Sequence, residues 1–139
     1  MTRSPASIWR RLGAMAYDTL VLGGALFVAG IPLVAIDPQT RESFPIESAI
    51  QLYLSGVIGA YFVVSWRRGG QTVGMRAWRL RLLDARGSTP SYRDLFVRLF
   101  AAIACLLPAG AGYWWVLFDP EREAVHDKVS KTFIYHEKP

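Results

Sequence analysis

The chain carries its most informative residues in one short stretch, Arg10-Arg11-Leu12-Gly13-Ala14-Met15-Ala16-Tyr17-Asp18. Two arginines precede a long apolar run, and one aspartate lies inside it. From Leu12 to Ile36, Asp18 is the only charged residue. A carboxylate inside a segment of lipid-spanning length is costly unless a partner neutralises it or a function uses it. The fold must therefore give Asp18 a partner, an access route or both.

Composition indicates a membrane protein. The 139 residues are 52% hydrophobic and 13% aromatic, and the charged residues cluster between apolar blocks, which is typical of membrane-spanning chains. The length suits a single domain over 1–139. The net charge of +5 would fit nucleic acid, but most basic residues flank apolar segments, where the positive-inside rule and anionic headgroups account for them. Nucleic acid is therefore excluded as a partner, and the lipid bilayer is expected.

Two apolar segments are long enough to cross a bilayer, which takes about 20 helical residues. Helix 1 is predicted at about 12–36 and helix 2 at about 48–66, and Asp18 is the only charge in either. The loop at 67–93 carries seven arginines and one acid, so the positive-inside rule predicts that it is cytoplasmic. Because two spans separate this loop from the N-terminal arginines, the N-terminus is predicted to be cytoplasmic too.

A third apolar block at about 95–118 is broken at 108–112 by the sequence Pro-Ala-Gly-Ala-Gly. As one span it would carry the tail, 119–139, outside; as a re-entrant turn or helical hairpin it would return the C-terminus to the cytoplasm. The hairpin is favoured because 80–84 and 132–136 are strand-like, and strands need a partner on the same side. The predicted fold is all-α, with three to four transmembrane or re-entrant helices, a cytoplasmic surface helix and a short two-stranded pairing.

Asp18 needs a partner from another segment. Arg11 lies seven residues away, about 10 Å along a helix axis, which is too far for a direct bond. Arg98 is the predicted partner, because it lies about one turn inside the third block, which also begins on the cytoplasmic side. A network of Asp18, Arg98, Arg11 and Arg10 is therefore predicted. It has two interpretations of equal standing: an ion or proton site, and a structural pair that holds helices together.

The loop and the tail contain further polar residues with predicted structural roles. A short helix at about 75–79 would carry Arg76 and Arg79 along the membrane surface. Asp127 in the tail is expected to cap that loop or to pair with one of these arginines. His126, beside Asp127, is expected to contact the loop rather than bind a metal, since no further ligand lies in register.

No motif supports catalysis. The run Gly69-Gly70-Gln71-Thr72-Val73-Gly74 lacks the lysine, strand and helix of a phosphate-binding loop. Cys105 has no local base that would make it a nucleophile. The expectation is a protein that is not an enzyme and has neither a cofactor nor a metal site.

The ordered motifs resemble the RDD family of bacterial membrane proteins, which is named for an arginine and two aspartates. The likeness covers nearly the whole chain in the family's usual order. It rests on Arg10 to Asp18, Gly69 to Arg76, Leu80 to Asp84, Phe118 to Arg122, His126-Asp127 and the terminal Lys131-Thr132-Phe133-Ile134-Tyr135.

The resemblance implies roles for individual residues. Arg10 or Arg11 matches the family arginine and Asp18 its first aspartate. Asp127 matches the second aspartate, with Asp84 as the alternative. The resemblance also implies a multi-pass protein of the bacterial plasma (inner) membrane and a transport role, since sodium/proton exchange has been proposed for some members.

Two functions stay open at this point. The first is a transporter or ion-coupling protein with Asp18 as its titrating group. Three or four membrane segments are few for a transporter, so a homo-oligomer or another membrane protein is the expected partner. The alternative is a non-transporting scaffold that docks a partner protein, or anionic lipid headgroups at the basic loop.

Overall fold

Most of the described residues are helical. A computed structural model describes residues 3–106 and 125–137 of the chain. In chain order the elements are β1 (Arg3–Pro5), α1 (Ile8–Gly30, continued by a 3-10 turn at Ile31–Ala35), α2 (Pro38–Arg41), α3 (Phe44–Gly69), α4 (Val73–Ala77), β2 (Leu80–Asp84), α5 (Tyr92–Leu106), α6 (Val125–Ser130) and β3 (Thr132–Glu137).

The helices α1 and α3 have the length and apolar composition of membrane-spanning helices. Large side chains on their outer faces are exposed: Leu20 and Phe27 on α1 and Leu52 on α3 are each 76% exposed. A helix in the core of a soluble protein would bury such side chains. A bilayer covers them instead, so these two helices are the candidate spans.

The ends of the two long helices follow local rules. α1 passes into the 3-10 turn where Pro32 removes an amide donor. α3 ends at Gly70, whose φ of 65° is left-handed and whose amide donates to the Trp66 carbonyl. α1 begins before the predicted 12–36, and α3 extends beyond the predicted 48–66 at both ends. The charge pattern marks the edges of the apolar run, whereas arginine and glutamate continue a helix readily.

Three short strands form an antiparallel sheet in the order β1–β3–β2. β2 pairs along its whole length with residues 132–136 of β3, with Leu82 opposite Ile134, so the predicted pairing of 80–84 with 132–136 is confirmed. β1 adds a third strand along the other edge of β3. The sequence did not indicate β1, because three residues that end in a proline carry no strand signal. The sheet brings both ends of the described chain beside the connection between α3 and α5.

The third apolar block begins as α5, whose first turn is capped by a local bond. The Ser91 hydroxyl donates to the Asp94 carboxylate at 2.6 Å. α6 packs against α5 and β3 lies in the sheet, so the tail returns to the end of the molecule where α5 starts. This placement is the one that the hairpin prediction requires. The predicted break at 108–112, and the rest of the block to 118, lie outside the described residues.

A small core fills the end where the sheet meets the helices. Leu80, Leu82 and Leu95 are fully buried there. The predicted surface helix is α4, and it is not laid loosely on the membrane surface, because it buries Gly74 and Met75 against the rest of the protein. The buried end of the molecule is therefore built by α1, α3, α4, α5 and the sheet together.

Candidate functional site: two buried aspartates

Asp18 lies on the inner face of α1 and is 6% exposed. Three groups donate hydrogen bonds to its carboxylate. The Tyr61 hydroxyl of α3 lies 2.7 Å from Oδ1, the Thr72 hydroxyl lies 2.5 Å from Oδ2, and the Gly74 amide lies 2.8 Å from Oδ1. All three donors are neutral. Among the residues that the structure describes, Asp18 therefore has hydrogen-bond partners but no cationic partner.

A close approach of α1 and α4 makes this arrangement possible. A Cβ on Gly74 would lie 2.0 Å from the carbonyl oxygen of Ala14, so only glycine fits there. Thr72 precedes the helix and accepts the Met75 amide at 3.1 Å, while Asp18 accepts the amide of Gly74. The first turn of α4 thus has its free amides satisfied by a cap residue and by the carboxylate of another helix.

Asp127 lies on α6 and is fully buried. Two guanidinium groups reach it from two helices. Arg11 Nη1 donates to Oδ2 at 2.5 Å, and Arg98 Nη1 donates to Oδ1 at 2.6 Å. Arg98 also donates to the Thr132 hydroxyl at 3.0 Å. This carboxylate therefore ties α1, α5, α6 and β3 together through charge-assisted hydrogen bonds.

Electrostatics keeps this cluster in one charge state. Burial acts to raise the pKa of Asp127, but the Arg98 and Arg11 guanidinium groups outweigh it and hold that pKa well below its usual range. Burial, with the Arg98 charge second, lowers the pKa of His126 to about 3. Near neutral pH the cluster therefore contains an ionised Asp127 beside a neutral His126, whose Nε2 lies 3.5 Å from Asp127 Oδ1.

The predicted pairing of Asp18 with Arg98 is wrong. Arg98 faces α6 and binds Asp127, and the described partners of Asp18 come from α3 and the start of α4. The tail folds back against α5 and brings a second carboxylate to the arginine. Arg11 joins the same carboxylate, so it belongs to a network with Arg98, as predicted, but the acid at its centre is Asp127.

The predicted contacts of the tail with the basic loop are also wrong. Arg76 and Arg79 are exposed, and the described cationic partners of Asp127 lie on α1 and α5 instead. Arg10 is half-buried. It lies about 100° around the helix from Arg11 and takes no part in the described contacts of either aspartate.

Asp84, the alternative second aspartate, has a local role. Its Oδ1 accepts the amides of Arg86 and Ser88 at 2.9 and 2.7 Å, which closes the turn after β2. His126 is 3% exposed and lies against Asp127 rather than the basic loop. Asp127 and Asp18 are thus the two buried aspartates among the described residues, and the match of Asp127 to the second family aspartate stays a prediction.

Sequence reasoning missed Tyr61, Thr72 and Gly74 as partners of Asp18. A tyrosine inside an apolar span carries no charge that would single it out. Thr72 and Gly74 lie in the glycine-rich run at 69–74, whose sequence indicates a turn and a family motif but not a partner for a carboxylate. One signal could have identified them: a polar turn directly follows the second predicted span, and Asp18 in the first span needs hydrogen-bond donors.

A cavity of about 430 Å³ lies between α1, α3 and α5. Most of its wall is apolar. Five buried polar residues line it, namely Arg11, Asp18, Thr72, Arg98 and His126, together with the exposed Ser55. Within 3–106 and 125–137, no group of three or more histidine, cysteine or acidic side chains is arranged to hold a metal ion. The cavity can therefore offer a visiting molecule an apolar wall together with charged and hydroxyl groups.

Two spanning-length helices with exposed apolar faces, joined near one end by a buried hydrogen bond from Tyr61 to Asp18, define an α-helical membrane protein. The chain belongs to the RDD family, whose model matches residues 5–131, so the resemblance inferred from its motifs is confirmed. The chain is similar to the uncharacterized membrane protein YteJ of Bacillus subtilis (strain 168), with 27% identity over 146 residues, covering 99% of this chain and 85% of that protein. It is also similar to the uncharacterized protein YckC of the same organism, with 24% identity over 140 residues, covering 97% and 87%. No solved structure matches the chain.

Proposed function

We propose that this RDD-family membrane protein couples the binding of a proton or a small cation to movement at the buried end of its helices, with Asp18 as the exchanging group. The observation that carries the proposal is the environment of Asp18. It is buried, it lines the cavity, and its described partners are all neutral. An intramembrane carboxylate without a fixed counter-charge is suited to take up a mobile one.

Thr72 supplies a physical route for the coupling. Its hydroxyl donates to Asp18 Oδ2 and its oxygen accepts the Met75 amide. A proton that arrives on Oδ2 reverses the first bond, because a hydroxyl oxygen can accept as well as donate. The displaced hydroxyl hydrogen then turns away from Asp18. Since Thr72 is the cap of α4, exchange at Asp18 changes the bonds that hold α4 against α1.

Proteoliposomes test the coupling directly. Purified protein is reconstituted under a pH gradient, and proton flux is followed with a trapped pH-sensitive dye in the presence of Na⁺ or K⁺. Asp18→Asn is expected to abolish the flux. Asp37→Asn is the matched control, since Asp37 is exposed and caps the short α2. Flux that survives Asp18→Asn unchanged would overturn the proposal.

The proposed location is the plasma membrane, with the sheet end of the molecule in the cytoplasm. Six arginines at this end are exposed: Arg67, Arg68, Arg76, Arg79, Arg86 and Arg93. The positive-inside rule assigns such a cluster to the cytoplasmic side. In a Cys105→Ser background, Arg86→Cys is expected to resist a membrane-impermeant maleimide on intact cells, whereas Gln39→Cys is expected to react. The reverse pattern would contradict this orientation.

A chain of 139 residues is small for a conducting pathway, so the active form is proposed to contain several copies. The mass of the purified protein in detergent, measured by light scattering, is expected to exceed that of one 15.5 kDa chain. A mass of one chain in a preparation that still shows flux would contradict this part of the proposal.

The exposed arginines favour a second candidate, a scaffold that docks anionic headgroups or an acidic partner protein. This function requires no flux. If the wild-type protein conducts nothing, and if a co-purifying protein is lost in the double variant Arg76→Glu/Arg79→Glu, the scaffold replaces the coupling protein as the better account.

A further inference from the structure

The wall of the cavity contains two buried N–H donors that have no acceptor. Arg98 Nε and Trp66 Nε1 are both buried and make no hydrogen bond within the described structure. Arg98 is 3% exposed and Trp66 is 7% exposed, and both residues line the cavity. The great majority of buried donors in proteins are paired, and leaving one unpaired is destabilising. Two such donors on one cavity wall therefore call for an acceptor there.

The two donors are neighbours. The Arg98 guanidinium lies over the Trp66 ring, with its central carbon 5.3 Å from the ring centroid. The other described bonds of Arg98, to Asp127 and Thr132, are made by Nη1, which leaves Nε for a different partner. Because the two residues are stacked and both line the cavity, one acceptor group beside them is the simplest partner for both donors.

The rest of the cavity is apolar and opens to the outer surface of the helices. Phe62, Leu99 and Ile103 are among the residues that line it. Met15 and Ile103, also on the wall, are 40% and 53% exposed, so the cavity reaches the face that the bilayer covers. Its volume of about 430 Å³ lies at the small end of the range for ligand pockets. It suits one hydrocarbon chain better than a whole two-chain lipid.

Charge selects the head of the ligand. Asp18 lines the cavity as well, whereas Asp127 is bonded to Arg98 and is not part of the lining. A ligand that ended in a carboxylate would place a second negative charge near Asp18, which has no cationic partner among the described residues, and this is unfavourable in a low-dielectric site. A neutral ester carbonyl offers two lone pairs without that charge. A phospholipid chain meets these conditions, because its ester carbonyl joins an apolar chain to a headgroup that stays at the membrane surface.

We propose that this cavity is a lipid site that takes one acyl chain of a membrane phospholipid, with the ester carbonyl accepting from Arg98 Nε and Trp66 Nε1. The remaining chain and the headgroup lie outside the cavity in the bilayer. This site goes beyond the coupling function, because it requires no proton or cation exchange at Asp18.

Native mass spectrometry tests the site. Delipidated protein in a mild detergent is titrated with dioleoyl phosphatidylglycerol, and the expected result is saturable retention of one lipid per chain. Trp66→Phe keeps an aromatic side chain and removes the Nε1 donor, so retention is expected to weaken about tenfold, as the loss of one buried hydrogen bond implies. Titration with oleate instead probes the free acid.

A matched pair on α5 keeps the test independent of the Trp66 variant. Ala102 lines the cavity and Ala104 does not; Ala104 is exposed on the same helix. Ala102→Leu fills the cavity and is expected to reduce lipid retention at least as much as Trp66→Phe, whereas Ala104→Leu is expected to retain lipid like the wild type. Equal retention in all four proteins would overturn the proposal, as would saturable binding of oleate without binding of the phospholipid. The assay contains no ion gradient, so a failure to observe flux leaves its outcome unaffected.

Discussion

Asp18 and Asp127 are both buried carboxylates at the same end of the protein, but they differ in what holds them. Asp127 receives two guanidinium groups, from Arg11 and Arg98. Asp18 receives two hydroxyls and one backbone amide. The first arrangement keeps Asp127 ionised, because neutralising the carboxylate or removing a guanidinium group would leave a buried charge uncompensated. The second satisfies hydrogen bonds but contains no fixed opposite charge among the described residues.

This difference fits a structural role for Asp127 and the proposed exchange of a proton or cation at Asp18. The Asp127 cluster joins α1, α5, α6 and β3, and it holds the tail against the helices. Asp18 joins α1, α3 and the start of α4, and it lines the cavity. Arg11 and Arg98, which the sequence analysis predicts near Asp18, bind Asp127 instead. Asp18 is therefore available for a mobile proton or cation. The same conservative substitution at the two positions should therefore have very different effects.

The largest effect is expected for Asp127→Asn. The change replaces the carboxylate between two buried guanidinium groups with a neutral amide, and breaking a buried ion pair in this way costs about 3–5 kcal/mol. The free energy of unfolding in detergent, from denaturant titration, measures it. Asp84→Asn is the control, since Asp84 serves a local turn. A loss under about 1 kcal/mol at Asp127 would mean that the cluster does not hold the tail.

The next largest loss of stability is expected for Gly74→Ala. This variant tests the close contact between α1 and α4 that lets the Gly74 amide reach Asp18. The added Cβ would lie 2.0 Å from the Ala14 carbonyl oxygen, so the helices must separate, at a cost of about 1–3 kcal/mol. Gly56→Ala is the matched control because nothing lies within 4 Å of its Cβ. Thermal unfolding of both variants decides: equal midpoints would show that the close contact carries no stability.

An acid dependence of similar size is expected from His126. Its pKa is lowered to about 3 in the folded protein, against about 6.5 in an unfolded chain. Between these values the unfolded chain binds a proton that the folded chain does not. Stability therefore falls as the pH drops below about 6.5, by up to about 1.4 kcal/mol per unit. Unfolding measured from pH 7 to pH 5 should show this slope.

Two histidine variants identify the source of the acid dependence. His126→Gln removes the titrating group and should flatten the curve between pH 7 and pH 5. His136→Gln changes the second histidine of the chain and should leave the slope in place. A slope that persists in His126→Gln would assign the acid sensitivity to another group.

The smallest effect on stability is expected for Asp18→Asn, about 1 kcal/mol. The asparagine oxygen can still accept from Tyr61 and Gly74, and its amide can donate to the Thr72 oxygen. The variant therefore imitates the protonated aspartate. It should fold, as circular dichroism and gel filtration in detergent can check, while it loses the flux. A loss of stability as large as that of Asp127→Asn would contradict the contrast between the two sites.

The sequence predicted much of the scaffold because its signals are local. Long apolar runs predicted α1 and α3. Two strand-like segments without other partners led to the correct pairing of 80–84 with 132–136. The family motifs singled out Asp18 and Asp127. These features depend on composition and on the local order of residues, and both can be read from a single sequence.

The partners of the two aspartates could not be obtained in the same way. Arg98 lies at the right depth to meet Asp18, and spacing alone gives no reason to prefer Asp127. The choice depends on how α6 packs on α5, which is a long-range contact. Tyr61 and Thr72 were missed for a related reason, because a hydroxyl becomes informative only when the fold sets a carboxylate opposite it.

The central claim is that Asp18 exchanges and Asp127 does not, and carbodiimide labelling tests it most directly. An apolar carbodiimide modifies carboxyl groups that take up a proton in an apolar environment. After treatment of the protein in membranes, mass spectrometry of its peptides is expected to find the adduct on Asp18 and to lose it in Asp18→Asn, with Asp127 unmodified. An adduct on Asp127, or an unmodified Asp18 in protein that shows flux, would contradict the account.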